Sequence, residues 1–449
     1  MQKLEKYNLL KVDDNILSSN LKIRNEFKKS RYNLFKRNKL LTLILICIIF
    51  IIIFVIVFKR NNNNLDYNNT NIYYQNINKY YKKEDIIDSN NYIPLEKMKF
   101  KYKNDSFFNN YTREISIYSH LYHKNISQFK KNKNNINLCM SLNNRFVYPT
   151  LVAIESALIN CNKTKTFITY HVLCAPNVKN EALSIIKSLI NKYYLNLEII
   201  LYNMGNIFIN NNEGRFSQAA YYRLLSPIIF DLERILYLDG DTITFKDLSE
   251  MYQIEFDDNY ILGFLDIMSN GVDHLGIKSE RYINSGVVLL NLEKIRKDNK
   301  TFELIKALLD DIPRPSVDQT IINYVLYPKI GILPSKYTTW NFEHRLDIEK
   351  YLDRLRLKQD FNELLNSIDD TCVMHICLCG PKAWLPDTKY NIFSACKQWG
   401  DCSCKKYQDL WYFYAKKTQY YYEILNYYNY TNYTAKFDEK IFMKNQLIK

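Results

Sequence analysis

From about residue 134 the apolar positions fall into short and longer runs that alternate regularly. Ile136–Leu142 (INLCMSL) has strand length, and Pro149 opens a helical pattern running to about Ile159, since proline is well tolerated in a first helical turn. Phe167–Leu173 (FITYHVL), Leu195–Tyr202 (LNLEIILY), Arg234–Leu238 (RILYL), Ile261–Leu265 and Gly286–Asn291 read as strands. Glu181–Lys192, Ser217–Leu225, Leu292–Asp310 and Val317–Tyr327 read as helices. Strand and helix alternating at this spacing predict an α/β domain with a largely parallel sheet. No internal repeat of fixed period is visible.

A second pattern precedes the first. Leu40–Phe58 (LLTLILICIIFIIIFVIVF) is 19 residues without a charge, and as a helix it would reach about 28 Å, close to the thickness of a hydrocarbon core. A cleaved signal peptide would have a shorter apolar stretch nearer the N-terminus and a small-residue cleavage site. Lys36, Arg37 and Lys39 before the run favour a cytoplasmic N-terminus. The expectation is a basic tail over 1–39, one membrane helix over 40–58 as a signal anchor, and an Asn-rich luminal stem over 59–133 without sustained period. The folded domain follows over 134–411, and a Tyr-rich tail over 412–449 is expected to add little to it.

Composition narrows the picture only in part. Hydrophobic residues at 47% and charged residues at 24% exclude wholesale disorder and collagen-like structure. The net charge is +14, but residues 1–39 alone hold 11 Lys/Arg against 4 Asp/Glu. Half of the excess therefore sits outside the domain, and a basic face for nucleic acid is not implied. Six of the 10 cysteines crowd into 372–404 (Cys372, Cys377, Cys379, Cys396, Cys402, Cys404). In an oxidising lumen, disulfides among them are expected, with pairing left open; their Cys-x-Cys spacing is not the usual one for zinc. Asn-x-Ser/Thr acceptors such as Asn125 and Asn162 permit luminal exposure.

Ligands of α/β sheets bind at the carboxyl ends of strands, which directs attention to Asp239-Gly240-Asp241 after Arg234–Leu238. Two carboxylates two residues apart can turn toward one hard divalent cation, Mg2+ or Mn2+, that keeps positions open for phosphate oxygens. The string LYLDGDT also fits haloacid-dehalogenase-like phosphatases, in which Asp239 would be the nucleophile and Asp241 the acid/base.

The wider order of motifs favours another chemistry. Tyr221-Tyr222-Arg223-Leu224, the LYLDGDT strand end, Tyr282–Leu292 (YINSGVVLLNL), Asp318–Asn323 (DQTIIN), and a His before Gly-Pro-Lys-Ala-Trp follow one another. This set, from about Asn137 to Trp384, resembles glycosyltransferase family 8, which includes glycogenin, galactinol synthase and bacterial lipopolysaccharide galactosyl- and glucosyltransferases. The resemblance implies a GT-A nucleotide-sugar-binding fold, a nucleotide-sugar donor (a UDP-sugar), Mn2+ with Mg2+ as the alternative, and retention of anomeric configuration. Asp239, Asp241 and His375 match the metal-binding residues. Arg223 matches an arginine associated with donor sugar and diphosphate; Asn284 and Ser285 match residues beside the transferred sugar. Asp318 and Gln319 match the catalytic pair flanking the anomeric carbon. Gly380 and Lys382 match residues contacting the diphosphate.

Two departures stand out. Leu142 is followed by Asn143, Asn144, Arg145 and Phe146 where the family has Asp residues and Asn-Tyr, so Asn143 can hydrogen-bond a base edge but carries no charge. In His375-Ile-Cys-Leu-Cys-Gly380-Pro381-Lys382-Ala383-Trp384, His to Gly is longer by two residues than in the family and Gly to Lys shorter by one. With the apolar run, the resemblance implies a single-pass type II enzyme of the Golgi or endoplasmic reticulum membrane, acting on a luminal glycan, glycoprotein or glycolipid without nucleic acid. The alternatives are a catalytically impaired, membrane-tethered carbohydrate-binding relative and the phosphatase.

Overall fold

The computed structural model describes residues 85–89, 93–94, 107–108, 111, 113–208, 210–211, 217–266, 275–278, 281–310, 312, 316–340, 370–377, 382–385 and 405–430. Contacts divide the chain into Met1–Lys82 and Lys83–Lys449, and every element below belongs to the second unit.

Strands β1 (Ile86–Ser89), β2 (Ile93–Pro94), β3 (Ser116–His123), β4 (Asn134–Leu142), β5 (Thr166–Cys174), β6 (Leu197–Asn203), β7 (Arg234–Leu238), β9 (Ile261–Leu265), β10 (Ile283–Asn291) and β11 (Ile330–Ile332) form one sheet. Its order is β1-β3-β6-β5-β4-β7-β10-β9-β11, with β2 on β3. The middle, β6-β5-β4-β7, is parallel, as the alternating pattern predicts. Toward both edges the pairing turns antiparallel, at β3–β6 on one side and β7–β10 on the other. The sheet is therefore mixed rather than largely parallel. β5 is buried along its whole length, as expected of a central parallel strand covered on both faces.

A second sheet, β12 (Thr338–Trp340), β13 (Val373–His375) and β8 (Thr242–Thr244), carries three short strands in the order β12-β13-β8. No apolar run announces it. The helix expected over Leu292–Asp310 is broken into Leu292–Lys297 and Lys300–Leu309 by Asn299 at φ 56°, a left-handed conformation that asparagine tolerates. The Ser217–Leu225 helix is a 3-10 helix over Gln218–Leu225.

Two expected boundaries move. Within the segment expected as stem, β3 alternates buried Ile117, Ser119, Leu121 and His123 with more exposed Tyr118, His120 and Tyr122, the period-two signature of a strand with one covered face. In the segment expected as a tail, the helices Lys405–Ala415 and Tyr421–Tyr427 bury Trp411, Tyr412, Tyr414 and Ile424 in an apolar cluster with Trp384. Tyrosine supplies a large apolar ring to such a cluster.

The apolar run Leu40–Phe58 lies outside the described residues, and among those described no helix is long and apolar enough to cross a membrane. The expected disulfides are corrected at Cys372 and Cys377. Cys372 and Cys377 are free thiols, and the Cys372 Sγ instead points to the carbonyls of Lys246 and Asp247. Cys379, Cys396, Cys402 and Cys404 lie outside the described residues.

Candidate active site

Asp239 and Asp241 leave the end of β7, and Asp241 leads directly into β8. β8 pairs antiparallel with β13 in the register Thr242↔His375, and the Ile376 amide donates to the Asp241 carbonyl at 2.9 Å. Backbone pairing thus delivers His375 to Asp241 across 134 residues of sequence. One ligand atom from each of Asp239, Asp241 and His375 lies within 4.8 Å of the others. His375 Nε2 is 3.0 Å from Asp241 Oδ1 and 3.8 Å from Asp239 Oδ2.

Two glycines make room for this approach. A Cβ on Gly286 would lie 2.1 Å from His375 Cε1 and 2.7 Å from Asp239 Oδ2. A Cβ on Gly240 would lie 2.9 Å from Thr150 Oγ1 and 3.1 Å from Phe146 Cδ1. Real Cβ atoms do not approach as closely as at Gly286, which therefore requires glycine, while a Cβ at Gly240 would force the Thr150 and Phe146 side chains to shift.

Charge around Asp241 is concentrated. Lys382 Nζ lies 2.5 Å from its Oδ2. Burial alone would raise the Asp241 carboxyl, but the Lys382 ammonium and the His375 ring outweigh it and hold the group well below the usual carboxylate range. Asp241 is 5% exposed, while the Asp239 side chain is 28% exposed, so Asp239 faces the open side. Two carboxylates and an imidazole within one ion's reach are a donor set that a divalent metal fits.

A second cluster adjoins the first through Asn284. Its Oδ1 is 3.0 Å from His375 Nδ1, and its Nδ2 donates to Asp266 Oδ2 (2.9 Å) and Gln319 Oε1 (3.1 Å). Gln319 Nε2 donates to Asp266 Oδ2 (3.1 Å), and its Oε1 also accepts from the Ser285 amide (3.1 Å). Both ends of the Gln319 amide are thereby held.

Arg223 lies beneath this layer, 6% exposed. It reaches Asp239 Oδ1 at 2.9 Å, Asp318 Oδ2 at 3.0 Å and the Ser285 carbonyl, over the Tyr237 ring at 4.0 Å. Burial pushes the Asp318 carboxyl up to about 6, against the pull of the guanidinium. The Ser285 hydroxyl donates to Asp318 Oδ2 at 3.3 Å. The structure thus places Asp318 and Arg223 as a buried brace under Asp239 and Ser285.

Asn143 follows β4 at the same edge of the sheet as Asp239, because β4 and β7 are parallel with Leu138 opposite Leu236. Its Oδ1 caps the next turn through the amides of Arg145 and Phe146, and its Nδ2 donates to Ser217 Oγ. Gly380 lies outside the described residues. Asp266 was missed by the motif order. Its signal was available, since it closes the apolar strand ILGFL as Asp239 closes RILYL.

A mixed α/β sheet with an acidic strand end, a late histidine and a hydrogen-bonded Asn/Gln pair gathered at one edge defines the class of fold and site. The model of glycosyl transferase family 8 matches residues 137–388, more than half of the chain, and the chain belongs to this family of glycosyltransferases. It is 28% identical over 213 residues to a lipopolysaccharide 1,2-glucosyltransferase of Escherichia coli, covering 45% of this chain and 61% of the relative. It is 23% identical over 186 residues to general stress protein A of Bacillus subtilis (strain 168), covering 39% and 63%. The chain therefore spans about three fifths of the length of these curated relatives. The apo structure of the bifunctional glycosyltransferase WbbM shares the fold with TM-score 0.51 at 17% identity, over 65% of this chain and 51% of that one.

These findings remove one alternative and correct one expectation. Family membership across the Asp239–Asp241 strand end removes the phosphatase reading. The single-pass Golgi or endoplasmic reticulum placement is corrected as well, because the curated relatives are bacterial proteins.

Proposed function

We propose that the chain is a retaining hexosyltransferase that takes its sugar from a UDP-hexose and passes it to a hydroxyl of a glycan, glycoprotein or glycolipid, with Mn2+ as cofactor. The observation that carries this reading is the convergence of Asp239, Asp241 and His375 beside Asn284 and Gln319 at a strand-end edge of the sheet. An imidazole with two carboxylates suits Mn2+ better than Mg2+, which the carboxylates alone also admit. A divalent ion held there supplies Lewis-acid charge to the diphosphate leaving group.

The chain's own residues do the rest. Lys382, whose ammonium sits at Asp241, adds positive charge where a diphosphate bound to that metal would lie. Arg223 and Asp318 fix the Asp239 carboxylate and the Ser285 backbone from below. Gln319, held at both ends and an amide, is a poor nucleophile. Its placement supports front-face attack, in which the acceptor oxygen bonds to the anomeric carbon on the face the diphosphate leaves. The acceptor proton passes to the departing phosphate oxygen. Asn143, just after β4, is the residue assigned to the base edge.

The test is a panel of UDP-sugars assayed for UDP release with Mn2+, with EDTA, and with Asp241→Ala. We expect one donor to be consumed, EDTA to abolish turnover, and Asp241→Ala to lower it more than a hundredfold. Metal-independent turnover, or no UDP release from any donor, would overturn the reading.

A further inference from the structure

The residues 382–385 carry Lys382 over Asp241, and their position is set from far along the chain. The segment is a tight turn, with the Leu385 amide donating to the Lys382 carbonyl at 2.9 Å. Its next carbonyls are met by side chains of the Lys405–Ala415 helix. The Tyr412 hydroxyl donates to the Trp384 carbonyl at 3.0 Å, and Gln408 Nε2 donates to the Leu385 carbonyl at 2.9 Å. Tyr412 and Gln408 are four residues apart and so share one helix face. Both are buried, at 0% and 4% exposure.

The same helix holds the Trp384 ring. Trp411 lies 5.8 Å from it and Phe146, from the turn after Asn143, lies 5.6 Å away on another side. Phe146 in turn packs close to Gly240, with its Cδ1 3.1 Å from where a Cβ would lie. One packed unit therefore joins the Lys405–Ala415 helix, the Lys382 segment, the turn after β4 and the Asp239-Gly240-Asp241 strand end.

We infer that this helix is a clamp, and that Tyr412 and Gln408 are positioning residues that aim Lys382 at the diphosphate of the donor. Neither side chain contacts the donor on this assignment; both act through two carbonyls and the lysine beyond them. The inference rests on the UDP-sugar reading above and adds to it a control element outside the matched family segment, which ends at residue 388.

A double-mutant cycle on UDP affinity, measured by calorimetry at saturating Mn2+, tests it. Tyr412→Phe removes one hydrogen bond at constant shape and should weaken UDP binding about five-fold. In a Lys382→Ala background the same change should cost nothing further, because the lysine it aims is gone. Gln408→Leu runs the same cycle on the second carbonyl should Tyr412→Phe fail to fold. An equal loss in both backgrounds would make these residues general supports of the fold and overturn the clamp, as would unchanged affinity in the Lys382-containing protein. Failure of the native chain to bind UDP at all would sink the donor reading, and the clamp with it.

Discussion

Asn284 Oδ1 lies 3.0 Å from His375 Nδ1, and the same oxygen accepts from the Gly286 amide at 2.9 Å. An amide oxygen can only accept, so Nδ1 carries the proton and Nε2 is the nitrogen turned toward Asp239 and Asp241. The Asn284 amide nitrogen meanwhile ties to Asp266 and Gln319. One side chain thus orients the imidazole of the metal triad and the amide assigned beside the anomeric carbon. Metal-ligating histidines are characteristically fixed through their second ring nitrogen in this way.

Asn284→Ala should therefore weaken divalent-metal binding about 10- to 100-fold, the usual cost of losing such an orienting partner. Mn2+ titration followed by electron paramagnetic resonance measures it directly, without turnover. Unchanged Mn2+ affinity would show that His375 needs no partner at Nδ1, or is no ligand.

Gly286→Ala acts on the same ring from the opposite direction. The new Cβ would fall 2.1 Å from His375 Cε1, so the imidazole must leave its place. We expect at least a tenfold loss of Mn2+ affinity together with an overpacking cost of about 1–3 kcal/mol in chemical unfolding. A normal metal affinity in this variant would remove His375 from the triad.

Acid stability should report on His171. It is buried between the Tyr202 hydroxyl and Asn137 Oδ1, and burial lowers its pKa to about 3. Below the ordinary value near 6.5 the unfolded chain binds a proton that the folded chain does not, so this residue costs stability as pH falls, by about 1.4 kcal/mol per unit. Asp318, pushed up to about 6, has the opposite sign, because its folded carboxyl takes up a proton first. The comparison is therefore native against His171→Gln, not native at two pH values. Between pH 7 and pH 5 the variant should gain about 2 kcal/mol relative to native in urea unfolding. Parallel pH dependence in the two proteins would place the His171 pKa in the folded state near its unfolded value.

What was legible in the sequence was local. The strand pattern gave the parallel centre of the sheet, and Asp239-Gly240-Asp241 stood out because an apolar strand runs straight into two acids. Asp266 has the same signature but only one acid, and nothing local says that Gln319 and Asn284 meet it. His375 was reached by motif order. The reason it arrives at Asp241 is the β8–β13 register, set by strands of three residues each that are too short to show a period. The segment before residue 134 hid β3 among Asn, Lys and Tyr, although its own burial alternates regularly. The end of the chain was misjudged for a different reason. The Tyr-rich end read as a tail, yet a tyrosine ring can be buried there while its hydroxyl takes a partner, as Tyr412 does at the Trp384 carbonyl.

That burial gives the last prediction. Trp411 is 1% exposed and its ring lies 5.0 Å from Tyr412, 5.8 Å from Trp384 and 6.3 Å from Tyr428. Removing a buried indole leaves a cavity among rings that cannot all collapse into it, and such a change costs about 3–5 kcal/mol. Trp411→Ala should lose that much in equilibrium unfolding, and a chain ending before residue 405 should fail to reach a soluble native state. Trp411→Phe, which refills most of the space, should recover a large part of the loss. If Trp411→Ala instead shifts unfolding by less than about 1 kcal/mol, below the cost of a created core cavity, the Lys405–Ala415 helix is an appendage. In that case the Trp384 cluster must draw its stability from the Phe146 side alone.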